Sequence, residues 1–511
     1  MTVGRISRSW LFGAILSGLS AGLAFPKFNL SFLIWVSLIP LLFIISRRKP
    51  KQSFLSGWIA GLFFYGLLLY WIPYVPAHYG NLPFSLSLLI YLILIGFLAL
   101  FWGFFAWCQA RIAKYFPRQA FLIAPFLWVS LEYILTYILT GFPWGLLGYA
   151  QAQNLPLIQV ASLTGVYGVS FLIVLTSASF VHSIIEKKRL PFFLVLVFVL
   201  VVHLWGLTLI KPTSIKSAAF KAAVIQGNVS SDIYWDFVSD EEVERLFELH
   251  LRLSRQASEQ GAKLIIWPEF SVPLCFSCPE VRYKEFRQRL ESFVQETGIT
   301  LLLGTNERTE GAGEPEFYNT ALCLSPDLTI TKYYKMHLVP FGEYTPYKAI
   351  FSFIQKVTHA IGEVTPGKEH RLHRFQGFAF GSPICYEIIF PDLVRQFVQK
   401  GATFLATITN DGWYGTSSAP YQHFQIALFR AVENRRYLLR AATTGISGII
   451  DPFGRVVKRS SLMTTDVLSS IIIPETKKTI YARWGDLWCW VSLTLSLGSV
   501  IFSLFKRRNE P

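Results

Sequence analysis

Eight apolar runs, at about 9–25, 30–46, 54–75, 84–108, 120–139, 166–185, 190–210 and 487–505, constrain this chain more than any other feature of it. A helix crosses a ~30 Å hydrocarbon core with about 20 residues, so most of the runs are long enough to span. The second and the last are short and lean on snorkelling flanks. Seven runs crowd the first 210 residues, and the eighth follows a long polar segment. The pattern predicts a membrane α-helical bundle of about eight transmembrane helices, interrupted before its last helix by one folded polar domain. The 511 residues are 52% hydrophobic and 16% aromatic, with a mean hydropathy of +0.41, which excludes an ordinary soluble globular chain. The first run, behind Arg5 and Arg8, is read as a span rather than a signal peptide. Further spans follow at once, and no small-residue cleavage site appears.

Loop charge sets the expected orientation. Arg5 and Arg8 precede the first run, and Arg47, Arg48, Lys49 and Lys51 follow the second. Arg111, Lys114 and Arg118 follow the fourth, Lys187, Lys188 and Arg189 the sixth, and Lys506, Arg507 and Arg508 the eighth. The alternate short loops hold only Lys27. The positive-inside rule then places both termini in the cytoplasm and the polar segment outside, which in a bacterium is the periplasmic face of the inner membrane. Three parts are expected: a seven-helix membrane domain at 1–210, a polar domain at 211–482, and a last helix with a cytoplasmic tail at 483–511. Of the net charge of +15, +11 lies in residues 1–210, where 13 Lys/Arg face only Glu132 and Glu186. The basic balance is thus a topology signal. No basic stripe with interleaved aromatics marks the polar domain, and no nucleic-acid partner is expected.

Within 211–482, short β-rich runs alternate with amphipathic charged stretches. Strands are expected at 218–228, 262–269, 299–306, 377–385 and 402–410, and helices at 240–261, 285–298, 392–401 and 423–436. YNTALCLSP and DLTITKYYK read as a hairpin across Pro326-Asp327, and YLLRAAT with GISGIIDPFGRVV as further strands. Residues 211–217 and 476–486 read as linkers. The alternation argues for a layered α/β sandwich with one core.

Three residues at the ends of strand-like runs carry the chemistry. Cys385 closes a strand and precedes Tyr386, Glu387 and a helical stretch. That junction would expose a thiol to backbone N–H groups and a helix dipole, lowering its pKa and forming half of an oxyanion hole. Glu269 follows an apolar strand and a proline, a placement that suits a general base. Lys335 closes ITKYYK and would stabilise thiolate and oxyanion, with Glu343 orienting it. Taken singly, each has a plainer reading: a packed cysteine, a solvated turn acid, an ordinary lysine, a loop cap.

Together the strings WPE (267–269), YYKMHL (333–338), CYEIIFP (385–391), NDGWYG (410–415) and RAVENRRYLLRAATTGISGIIDPFGRV (430–456) resemble the nitrilase, or carbon–nitrogen hydrolase, superfamily. The resemblance implies an αββα sandwich and a Glu–Lys–Cys triad of Glu269, Lys335 and Cys385. With the flanking spans and GFPWGLLGYAQ (141–151), the whole chain is similar to the bacterial apolipoprotein N-acyltransferase family. That likeness implies an acyl donor, usually phosphatidylethanolamine, and a diacylglyceryl-apolipoprotein acceptor acylated on its α-amine. It implies a ping-pong route through a Cys385 thioester, with Lys335 and the Tyr386 N–H on the oxyanion. No metal or cofactor is expected, and a monomer in membrane lipid is. A membrane-tethered amidase using water as acceptor, and a non-catalytic scaffold, are the rival readings.

Trp235, Trp413 and Trp144 are expected as exposed-loop aromatics that bind acyl chains or sit in the interface belt. Glu387 is a candidate for shaping the pocket and Asn410 for supporting the cysteine loop. His337 offers a Cys–His dyad as a lesser alternative, and Glu132 is an acid inside a span. Cys275 and Cys278 form CFSC and are hypothesised to pair as a loop-stiffening disulfide. Cys108, Cys489 and Cys323 read as packing residues.

Overall fold

The computed structural model describes residues 3–210, 218–229, 239–271, 275–309, 315–346 and 363–505. The chain divides into two compact units, one of Met1–Pro73, Phe84–Lys211 and Trp484–Pro511, the other of Tyr74–Pro83 and Pro212–Arg483.

The first unit is helical. Among the described residues, five of its helices are long and apolar enough to cross a membrane: Phe84–Tyr115, Ala120–Tyr137, Val166–Ile185, Leu190–Leu209 and Leu487–Phe505. The first and third apolar runs form Val3–Leu23 and Pro50–Leu68, while the second is broken into Ser31–Leu33, Ile34–Ser37 and Ile39–Arg47. Pro40, in the first turn of the last piece, accounts for the break ahead of it, because it has no N–H to give to the carbonyl four residues earlier. Leu487–Phe505 belongs to this unit although the polar segment separates it in sequence. The Ser130 hydroxyl donates to Ser496 Oγ at 3.0 Å, and the Tyr137 hydroxyl donates to Asp486 at 2.8 Å. Glu132 is buried and accepts the Trp128 indole N–H at 3.0 Å and the Leu147 backbone N–H at 2.8 Å. It therefore ties its helix to the 143–151 loop.

The second unit is an αββα sandwich. Its strands are β1 Phe220–Gln226, β2 Leu264–Ile266, β3 Thr300–Thr309, β4 Glu316–Leu324, β5 Ile330–Tyr334, β6 His373–Phe375, β7 Phe378–Gly381, β8 Phe404–Thr409, β9 Leu438–Ala442, β10 Gly448–Ile450, β11 Val456–Arg459 and β12 Asp466–Ile472. They form two six-stranded mixed sheets, ordered β12-β1-β2-β3-β4-β5 and β11-β10-β9-β8-β7-β6. Parallel strands hold the middle of each sheet (β1-β2-β3 and β7-β8-β9), and antiparallel neighbours complete both. Helices α1 (Asp240–Glu259) and α2 (Val281–Thr297) cover the first sheet. Helices α3 (Pro391–Gln399) and α4 (Ala419–Asn434) accompany the second.

Local chemistry explains these elements. Ser239 caps α1 by accepting the Glu242 N–H, and Asp240, Glu241 and Glu242 fill its first turn, where the helix dipole favours negative charge. Val243, Leu246, Phe247, His250, Leu253 and Ala257 recur every three or four residues and bury one face. That face packs on Ile225, Ile265, Trp267, Leu301 and Leu303. Gln226, at the end of β1, joins the two sheets. Its side-chain oxygen accepts from the Ser447 N–H at 3.2 Å, the Ser447 hydroxyl at 2.6 Å and the Ser460 hydroxyl at 2.8 Å. Its amide donates to the Ser461 and Thr464 carbonyls at 2.9 and 2.8 Å.

The hairpin expected across Pro326-Asp327 is the β4–β5 pair. Two strands escape sequence reading, β6 and β12, which are a short edge strand and a strand of mixed burial. The 476–486 linker contains a short helix, Ile480–Trp484, whose Tyr481 and Ala482 are buried. Residues 211–217 lie outside the described residues.

Candidate active site

Three loops deliver the site, and each carries a non-glycine residue with left-handed backbone: Phe270 (φ 50°), Phe341 (φ 62°) and Cys385 (φ 49°). Such conformations cost about 1–3 kcal/mol each and persist where the surroundings over-determine them. Glu269 follows β2 and is 2% exposed. Its Oε1 accepts the Asn319 amide at 2.8 Å and faces Lys335 Nζ at 3.4 Å, and its Oε2 accepts the Asn410 backbone N–H at 2.7 Å. Gly304 on β3 makes room for this loop, since a Cβ there would sit 2.6 Å from Glu269 Cα and 2.8 Å from the Pro268 carbonyl oxygen. Gly304→Ala is therefore expected to cost about 1–3 kcal/mol through overpacking and to shift Glu269. Thermal unfolding read alongside activity checks this.

Lys335 follows β5 and is 1% exposed, with Nζ 2.8 Å from Glu343 Oε1. Burial pulls its pKa down, but Glu343, Glu269 and Cys385 outweigh that and hold the ammonium well above the ordinary range. Glu343 Oε2 accepts the Val339 N–H at 2.8 Å. Asn319 also donates to Glu343 Oε1 at 2.9 Å, so one amide spans both carboxylates that flank the lysine. Asn319→Ala leaves each of them one donor short. A hydrogen bond to a charged group is worth about 1.5–3 kcal/mol, so turnover should fall roughly 10–100-fold with the fold retained. Steady-state rates and unfolding temperature, measured together, check it.

Cys385 follows β7, and the bridge between Ile384 and Ile408 extends the β7–β8 pairing up to it. It opens a 3-10 turn, Cys385–Ile389, and α3 begins only at Pro391. The expected helix dipole at the sulfur is thus displaced by a turn and a half. The expected lowered thiol pKa is also overturned. Burial and the Glu269 charge push it well above the usual range, against Lys335 and a Thr409 hydrogen bond that pull it down.

Glu387 is wholly buried and clamps two loops together. Its Oε1 accepts the Tyr333 hydroxyl at 2.8 Å and the Met336 and His337 N–H groups at 2.6 and 3.1 Å, and its Oε2 accepts the Ile384 N–H at 2.7 Å. Burial lifts its pKa to about 7 against these donors.

The family described as "Apolipoprotein N-acyltransferase N-terminal domain" matches residues 17–179, and "Carbon-nitrogen hydrolase" matches residues 221–480. A protein of Geobacter metallireducens named apolipoprotein N-acyltransferase is 37% identical over 97% of this chain and 95% of its own length. Relatives of the same name from Photobacterium profundum and Azotobacter vinelandii are 30% and 31% identical, each over 97% of this chain and 95% of their own. The chain belongs to the apolipoprotein N-acyltransferase family.

Other sequence candidates fall in various places in this family member. Trp144 is not an exposed-loop aromatic: it is 2% exposed, near Trp71 (ring centroids 5.4 Å) and Phe142 (6.1 Å) in the helical unit. The apolar residues around GFPWGLLGYAQ draw that loop inward. Trp413 is half-buried against Tyr79 at 4.8 Å, and the Tyr79 hydroxyl donates to the Gly412 carbonyl at 3.0 Å. Residues 74–83 thus pack within the sandwich unit, which the sequence did not signal. Trp235 lies outside the described residues. Asn410 holds Glu269 through its backbone, while its side chain accepts the Gly412 N–H and the Thr443 hydroxyl. Tyr386 is buried beside Phe390, and the His337 ring stacks on Phe390 at 3.8 Å. Cys275 and Cys278 form a disulfide, and Cys108, Cys323, Cys385 and Cys489 are free among the described residues.

Sequence reasoning missed Asn319. Residues 319–324 of β4 are buried on both faces of the strand, so an Asn inside a run that reads as buried was the available signal.

Proposed function

We propose that this family member transfers an acyl chain from a phospholipid to the α-amine of a diacylglyceryl-cysteine at a lipoprotein N-terminus, through a thioester on Cys385. The observation that carries the reading is the buried set in which Glu269 and Lys335 meet beside the Cys385 thiol, in a chain similar to acyltransferases over 97% of its length. Glu269 removes the thiol proton as sulfur attacks the ester carbonyl, with Lys335 and the Tyr386 N–H receiving the oxyanion. The tetrahedral adduct collapses, the Glu269 carboxyl protonates the departing alkoxide, and lysophospholipid leaves. Glu269 then takes a proton from the incoming ammonium-derived amine, which attacks the thioester. The second tetrahedral adduct collapses with cleavage of the C–S bond, amide forms, and Glu269 returns its proton to the departing thiolate.

A raised thiol pKa fits this sequence. The nucleophile stays protected as S–H until a carbonyl is in place, and Glu343 keeps Lys335 charged for the oxyanion. Both substrates are lipid-anchored, which gives the spanning helices a purpose. Phosphatidylethanolamine is the donor assigned, Trp413 and Trp235 are assigned to substrate contact, and the protein acts as a monomer. The loop charges favour an inner-membrane protein with a periplasmic sandwich and cytoplasmic termini. The test is product analysis with phosphatidylethanolamine and a diacylglyceryl-cysteine peptide. An amide-linked, hydroxylamine-resistant acyl group on the peptide is expected. Free fatty acid with an unmodified peptide would favour hydrolysis instead.

A further inference from the structure

The turn that supports the base is held in part by a residue from far away in the sequence. Residues 74–83 join the apolar helices Pro50–Leu68 and Phe84–Tyr115, yet they pack within the sandwich unit. The segment is firmly folded. Tyr74–His78 is a short helix, and the Pro76 carbonyl accepts the Gly80 and Leu82 N–H groups at 3.1 and 3.2 Å. Tyr79 follows that helix, its N–H on the Val75 carbonyl at 2.9 Å and its ring edge-on to His78 (centroids 4.8 Å) and Tyr74 (6.1 Å). From there it meets the 410–415 turn twice. The Tyr79 hydroxyl donates to the Gly412 carbonyl at 3.0 Å, and its ring stands edge-on to Trp413 at 4.8 Å. The turn in turn carries the base, because the Asn410 N–H is 2.7 Å from Glu269 Oε2. Asn410 Oδ1 accepts the Gly412 N–H at 3.0 Å and the Thr443 hydroxyl at 2.7 Å.

We propose that Tyr79 is a positioning residue for the reaction: its hydroxyl fixes the Gly412 peptide and, through the Asn410 turn, sets where Glu269 stands, while its ring seats Trp413. Glycine has no side chain to limit its backbone, so a turn built on Gly412 needs an outside hold. That hold comes from two sides. Thr443 ties the Gly412 N–H to the sandwich by way of the Asn410 side chain, and Tyr79 ties the Gly412 carbonyl to segment 74–83. The Gly415 N–H, 3.1 Å from the same carbonyl, closes the turn on itself but anchors it to nothing else. The two contacts of Tyr79 have separate consequences. The hydroxyl acts on the base and therefore on rate, and the ring acts on a residue assigned above to substrate contact and therefore on binding.

The inference deepens the acyl-transfer reading and rests on it for one arm of its test. Two rates are read in the full-length protein: Cys385 acylation by phosphatidylethanolamine and Cys385 alkylation by iodoacetamide. Tyr79→Phe keeps the ring and loses the hydroxyl. It should slow both rates roughly 2–10-fold, as for loss of one hydrogen bond, with the KM for phospholipid unchanged. Tyr79→Ala should slow both at least as much and also raise that KM. Tyr74→Phe keeps its ring beside Tyr79 and should change neither rate. The deciding comparison is a double-mutant cycle on alkylation. In a Glu269→Gln background, Tyr79→Phe should add nothing, because its effect passes through the base. An undiminished effect in that background, or wild-type rates in Tyr79→Phe, would overturn the proposal. Hydrogen exchange of the Asn410 amide gives a readout apart from chemistry: faster exchange in Tyr79→Phe is expected, and unchanged exchange counts against the hold. Should Tyr79→Ala not fold, Tyr79→Phe carries the test alone. If wild type is alkylated but never acylated, the acyl-transfer reading fails, and the alkylation cycle still decides the role of Tyr79.

Discussion

Cys385→Ala should abolish acyl transfer, lowering it by about 10⁴-fold or more, as removal of a covalent nucleophile does. The loss should appear wholly in the formation of the acyl-enzyme. Cys385→Ser should fail almost as badly. A serine hydroxyl is harder to ionise than a thiol, and the site already resists charge there, since burial and Glu269 push the thiol pKa up. Glu269 would have to ionise an even weaker acid at the same place. Neither variant removes a charge or a clamp, so both should insert and unfold much as wild type does. Acyl-enzyme formation measured beside thermal unfolding separates the two effects.

Glu387→Ala is expected to be the most destabilising single change in the sandwich. It strips the acceptor from the Tyr333 hydroxyl and from the N–H groups of Met336, His337 and Ile384 in one step. Leaving a buried donor unsatisfied costs about 1–3 kcal/mol, and here four donors lose their acceptor together. For a domain of this size that is roughly 10 °C in unfolding temperature. The clamp joins the loop after Lys335 to the turn that starts at Cys385, so activity should fall even below the unfolding transition. Glu387→Gln should be intermediate. Its oxygen can serve the three donors on the Oε1 side, but its NH₂ then faces the Ile384 N–H, donor against donor. Thermal inactivation half-lives of the two variants, ranked against wild type, check the order.

What the sequence shows depends on how local the signal is. Glu269, Lys335 and Cys385 each stand just past a strand, so their placement at one edge of the sandwich follows from element ends. β3 to β5 and the buried face of α1 follow from periodicity in the same way. Asn319 is harder, because β4 is buried on both faces from 319 to 324 and nothing local says which way its amide points. Asp411, His423 and Arg440 come from a 3-10 turn, a helix and a strand, and nothing local in the sequence says that Asp411 pairs with the other two. The thiol pKa was misjudged for a related reason. The strand–turn–helix pattern signals backbone donors, while the burial that dominates comes from tertiary packing. Trp144 is buried and not exposed because its loop folds inward on Glu132 and neighbouring aromatics.

The most direct measurement is the intact mass of the purified protein after incubation with phosphatidylethanolamine and no acceptor. Acyl transfer through Cys385 predicts a gain of one acyl chain, sensitive to hydroxylamine, absent from Cys385→Ala, and discharged onto an added diacylglyceryl-cysteine peptide. An unchanged mass while the peptide is still acylated, or an adduct that persists in Cys385→Ala, would contradict it.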